Sequence, residues 1–135
     1  MRAEKVITSL LQNAAGVTSI VGSGTAARIY GNVAPQEATL PLIVYSKRDA
    51  VREAAIDLTA ARIVRARIDV MVVAKTYAEV KALGEQCRLA IVGARADIAG
   101  VTVLARETEE EGADEYEPQL DEHAQVWTFR VYHME

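Results

Sequence analysis

Residues 62–74, RIVRARIDVMVVA, constrain the fold more than any other stretch of this chain. Val64, Ala66, Ile68, Val70 and Val72 fall on alternate positions, with Arg65, Arg67, Asp69, Met71 and Val73 between them. That period of two predicts a β-strand with one face in a core. The opposite face begins charged and ends apolar, so it should be wet at one end and covered at the other. A slip of one residue would bury two arginines and an aspartate, so the register of this strand is tightly specified.

Other segments group around it. Residues 3–14 place Val6, Ile7, Leu10, Leu11 and Ala14 on one helical face, and Gly16 follows as a stop. Val17 to Gly24 reads as a connection. Ile29–Val33 and Leu42–Ser46 read as strands joined by a crossing that contains Pro35 and Pro41. Lys47 to Ala61 is too polar for a core and predicts a long β-hairpin arm or loop. Thr76-Tyr77-Ala78-Glu79 has the form of a capping box, followed by Val80, Leu83, Cys87, Ala90 and Ile91 on one helix face. Val101–Ala105 and Gln125–His133 complete the set as strands, with Trp127, Phe129 and Val131 sharing a face. The order α-β-β-β-α-β-β predicts a single α+β domain over residues 1–135. Its antiparallel or mixed sheet has four to five strands and two helices on one face.

Half of the 135 residues are hydrophobic and a quarter are charged, as in ordinary soluble domains. The N-terminal sequence lacks the apolar run of a signal peptide, and no stretch is apolar enough for a membrane span, so a soluble cytosolic protein is expected. Cys87 is the single cysteine, which excludes a disulfide within the chain. The net charge of −4 is unevenly spread. Residues 106–122 hold nine acids and one base, against fourteen bases and ten acids elsewhere.

Patterns that carry chemistry are scarce. Gly22-Ser23-Gly24 lacks the later Gly and Lys of a phosphate-binding loop. His123 and His133 lie too far apart along one strand to share a metal. The acidic run lacks the alternating ligands of a calcium loop. Cys87 sits on an apolar helix stripe, where desolvation disfavours the thiolate. The strand at 62–74 offers arginines but no aromatic for base stacking, and the acidic segment would repel phosphate. The expectation is a protein without catalytic residues, cofactor or metal, and without direct nucleic-acid recognition.

Binding and assembly remain. Arg48, Arg52, Arg62, Arg65 and Arg67 gather on the arm and its return strand, and Glu109, Glu110, Glu111, Asp114 and Glu115 gather in the acidic segment, read as a loop. Of these, Arg48, Arg52, Arg65 and Arg67, together with the five acids, are the candidate partner interface. The acids could meet the arginines within one subunit or across a boundary, and head-to-tail contacts of that kind close naturally into a ring. The alternative is that both groups are solvated surface, since exposed ion pairs contribute little.

The succession RIYGNVAPQEATLPLIVYS, RARIDVMVVAKTYAEVKAL and YEPQLDEHAQVWTFRVYH resembles the tail completion or head–tail joining proteins of long-tailed phages and prophages. Arg28-Ile29-Tyr30, Ala34-Pro35-Gln36, Leu40-Pro41 and Tyr45 resemble that family's first hairpin. Thr76-Tyr77-Ala78-Glu79 resembles its second-helix entry, and Tyr116-Glu117-Pro118 its last-hairpin turn. The resemblance implies a structural subunit without catalytic residues, made in the host cytoplasm and placed in the virion at the head-proximal end of the tail. It further implies a hexameric ring, monomeric when free in solution, that contacts its own copies, the tail tube protein and the head connector. The alternatives are a tail terminator or minor tail protein of the same fold, or a small-ligand-binding or enzymatic domain.

Overall fold

The computed structural model describes residues 2–53 and 63–135. Strand β3 (Ile63–Ala74) lies at the middle of the sheet. It pairs antiparallel on one side with β2 (Leu42–Glu53) and on the other with β6 (Glu122–Met134). Val64, Ala66, Ile68, Val70 and Val72 are all buried, as the alternation requires. Across from them in β6, Trp127, Phe129 and Val131 extend the same apolar face.

Three helices cover that face: α1 (Arg2–Gln12), α2 (Ala15–Val21) and α3 (Tyr77–Ile91). Val6, Ile7, Leu11, Val17, Val21, Val80, Leu83, Cys87 and Ile91 join the sheet residues in one core cluster. At the start of α3, Thr76 Oγ1 accepts from the Glu79 backbone N–H at 3.2 Å, and the Thr76 hydroxyl also reaches Glu79 Oε1. The cap forms as its sequence predicts, and it fixes where α3 leaves β3.

The sheet is larger than the sequence suggests. Among the described residues its order is β1-β2-β3-β6-β5-β4, a mixed sheet of six strands with three α-helices, in place of four to five strands and two helices. Helix α2 falls in what reads as a connection. Its N-cap is Ala14, with no side-chain bond, so nothing in the sequence marks its start. It forms through packing: Val17 and Val21 are fully buried, and Gly16 lies so close to Gln86 of α3 that a Cβ would overlap its amide. Strand β4 (Ala96–Ile98) has three residues, too few to show a period.

Strand β1 (Ile29–Gly31) runs parallel to β2, so residues 32–41 are a crossover and not the turn of a first hairpin. The Leu40–Pro41 peptide within it is cis. The crossover lies against the second face of the sheet, where Ala34, Ala38 and Leu40 pack on Leu42, Val44 and Val73. This covering explains why the outward face of β3 changes from charged to apolar along its length. Arg28 ties the segment down, donating from Nε to Pro41 O at 2.8 Å and from Nη2 to Ile20 O at 2.9 Å.

The acidic segment is not a loop. Strand β5 runs from Val101 to Glu117, antiparallel to β6, and only a short turn separates the two. The β2–β3 arm is paired out to Glu53 opposite Ile63, whereas its tip, including Arg62, lies outside the described residues. Among the described residues no helix is long and apolar enough to cross a membrane.

Gly84 on α3 sets how near that helix comes to the sheet, since a Cβ there would stand 2.7 Å from Trp127 Nε1. Trp127 cannot retreat freely, because its indole N–H donates to the buried Gln125 Oε1 at 3.2 Å. Gly84→Val should therefore lower stability by about 1–3 kcal/mol through overpacking. In urea unfolding the midpoint should fall while the slope stays unchanged.

Candidate interaction surface of the charged strands

The register of the sheet sorts the charged residues onto two faces. Asp49 stands opposite Arg67, which stands opposite Arg130, which stands opposite Glu107. The row crosses four strands on the face away from the helices. Arg67 binds Asp49 through two of its guanidinium nitrogens, Nε to Oδ1 at 2.8 Å and Nη2 to Oδ2. Its Nη1 lies 3.8 Å from Glu109 Oε2, and Arg130 Nε lies 3.0 Å from Glu107 Oε1. One step along, Asp69 accepts from Thr128 Oγ1 at 2.7 Å and from Arg48 Nε at 3.1 Å. Two arginines thus stand opposite each other at the centre of the row, and each is offset by a carboxylate on its outer strand, Asp49 for Arg67 and Glu107 for Arg130.

The acids of β5 do not form one surface. Glu110 and Glu115 stand opposite Thr128 and Ala124, on the same face as Arg67. Glu111 and Asp114 stand opposite the core residues Trp127 and Gln125, and so face α3. There Asp114 binds Lys81 and accepts from Tyr77 Oη at 2.9 Å, while Glu111 adds to the field around Arg88. The irregular register between Glu111 and Asp114 holds Gly112, where a Cβ would meet Val126 O at 2.2 Å. Gln125 Nε2 donates to Gly112 O at 2.7 Å and latches this bulge to the core.

The structure therefore brings Arg67 and Glu109 together within one chain, and gives Arg48 and Asp114 partners outside the proposed set. Arg52 pairs with Glu135 at 3.0 Å. Arg65 stands opposite Val51 on the same face as Arg67. Sequence reasoning passed over Asp49, Asp69, Glu107 and Arg130, which complete the row. Their signal was available, because each lies at the parity of Arg67 once the strands are aligned.

A second cluster joins two motifs that are distant in sequence. The His123 ring lies between Tyr77, with ring centres 6.2 Å apart, and Tyr116, at 4.7 Å. Tyr77 belongs to the helix-entry motif and Tyr116 to the last-hairpin turn, where its hydroxyl donates to Asp121 at 2.8 Å. Elsewhere, a concavity of about 490 Å³ lies under the crossover and is lined by apolar residues such as Pro35, Leu42, Met71 and Leu120. Among the described residues no group of His, Cys, Asp or Glu is placed to hold a metal ion. Cys87 is fully buried, and burial pushes its thiol up to about 12. It should stay silent to a thiol reagent at pH 8 in the native protein and react fully once unfolded.

The bond from Arg67 holds the Asp49 carboxyl below its ordinary value of 3.8, and the Lys81 and Tyr77 bonds do the same for Asp114. A carboxyl lowered by folding contributes stability above its unfolded value and loses it as pH falls through the folded one. Arg67→Met should thus be less stable than the parent at pH 7. The gap should close on acidification below 3.8, measured by urea unfolding at each pH.

Comparison with known proteins places the fold. A solved chain described as "Virion of native gene transfer agent (GTA) particle" superposes with a TM-score of 0.77 at 14% identity, covering 96% of this chain and 92% of that one. No curated protein matches in sequence. The family described as "Tail completion protein gp17" matches residues 5–133. With nearly every described element inside that match, the chain belongs to the gp17 tail completion family.

Proposed function

We propose that the protein completes the tail at its head-proximal end as a ring of copies, six in number, and presents that end to the head connector. Family membership across residues 5–133 carries this reading. The function is one of binding and not of catalysis. In keeping with this, the single thiol is sealed in the core, and the charged groups form rows along strands instead of converging in a cleft. The row through Asp49, Arg67 and Glu109 is satisfied inside one subunit, so it shapes the sheet surface. Glu110 and Glu115 extend that surface as exposed carboxylates.

Deleting the gene from a producing phage should leave free heads beside tails of normal length in electron micrographs. Overlong tails would instead assign the protein to length termination. Glu110→Lys combined with Glu115→Lys should fold normally and reduce joined, infectious particles at least tenfold. An undiminished titre would remove the acidic strand from the assembly surface.

A further inference from the structure

Both long flanks of the sheet are open strand edges. On one side, β1 pairs only with Ile43 to Tyr45 of β2. From Ser46 to Glu53 no described strand lies along the outer edge of β2. On the other side, β4 pairs only with Val101 to Val103 of β5, and a single bridge joins Gly93 to Arg106. From Glu107 to Glu117 the outer edge of β5 has no described strand either. At about 3.4 Å per residue, these edges are roughly 27 and 37 Å long. Edges of that length are templates for pairing with another chain unless something disfavours it.

Charge decides which pairing is allowed. The open edge of β5 carries Glu107, Glu109, Glu110, Glu111, Asp114, Glu115 and Glu117 with no base among them. Two such edges cannot pair with each other without setting carboxylates side by side, which is destabilising. The open edge of β2 is mixed, with Lys47, Arg48 and Arg52 against Asp49 and Glu53; Asp49 is held by Arg67, Arg48 by Asp69 and Arg52 by Glu135 of the same chain. An all-acidic edge therefore meets a mixed edge that carries cations with less repulsion than it meets a second copy of itself.

We propose that neighbouring copies join edge to edge, with the outer edge of β2 in one copy pairing with the outer edge of β5 in the next; this rests on the ring reading above. Within the sheet β2 and β5 run in opposite directions, so the junction continues the antiparallel ladder. Residues opposite each other across a ladder share a face, so the register sets outer-face Val51 beside Glu110 and helix-face Lys47 beside Asp114. The two edges lie on opposite flanks of one molecule. The contact is head-to-tail, and it closes into a ring when the rotation per copy divides the circle.

Disulfide trapping in assembled particles tests this. Val51 and Glu110 are exposed, and Val51→Cys would be combined in turn with Glu110→Cys, Glu111→Cys and Ala113→Cys. Mild oxidation should give a ladder of covalent oligomers, rising to the full ring number, for at least one pair. Val51→Cys alone should give none, and Cys87 stays silent in the core. Particles with normally completed tails but no ladder from any pair would overturn edge pairing while leaving the tail-completion reading intact. A dimer from Val51→Cys alone would overturn it in favour of a twofold contact. Tails lacking the protein would overturn both.

Discussion

The pairing of β3 on both sides is the constraint on which the rest of the structure depends. Its twelve residues match β6 without a break from Ile63 opposite Met134 to Ala74 opposite His123. One parity of β3 supplies the floor of the core, and the helices settle on that floor. The other parity carries Arg65, Arg67 and Asp69 onto the outer face. Because side chains alternate strictly, the core and the charged row are one decision and cannot be varied independently.

The charged row adds little to stability, since its members are partly exposed and water competes for each of them. Arg67 and Asp49 have side chains 35% and 41% exposed. What the row supplies is position. A guanidinium that grips one carboxylate through two nitrogens is fixed in plane, unlike a lysine that rotates freely. Arg67 therefore presents its remaining nitrogen to Glu109 in β5, and the surface across four strands acquires a defined pattern of sign. In an assembly protein, such a pattern selects partners and register more than it strengthens any single contact.

Much of this was legible in the sequence, and the failures share a cause. The β3 alternation, the Thr76 cap and the buried faces of α1, α3 and β6 follow from period and capping chemistry, which are local. Helix α2 has no polar cap and several weak helix formers, and it exists because Val17 and Val21 reach the core. The acidic run reads as a loop because Glu, Asp and Gly disfavour strands, yet β6 extends past it and pairs with it throughout. The parallel direction of β1 is set by where the crossover lies, not by residues within the strand. Of the site, the arginines and acids were visible as groups, but their partition between faces depended on the bulges in β5. Those shifts, between Val103 and Ala105, Thr108 and Glu110, and Glu111 and Asp114, alter parity in a way that no period of two can report.

The same bulges explain how so acidic a strand can stand at all. A regular strand from Glu107 to Glu117 would leave its side chains in strict alternation, with no local means of choosing where each carboxylate goes. The shift around Gly112 brings Asp114 under α3, where Lys81 and Tyr77 hold it, while Glu115 remains on the outer face. Gln125 fixes that shift from within the core, donating to Gly112 O and accepting from Trp127. A buried amide with both ends satisfied is costly to disturb, so the bulge is held by the core. The core thus determines which acids are bound inside the subunit and which stay exposed on its surface. The pattern of charge that the sheet presents is in that sense written from the inside outward.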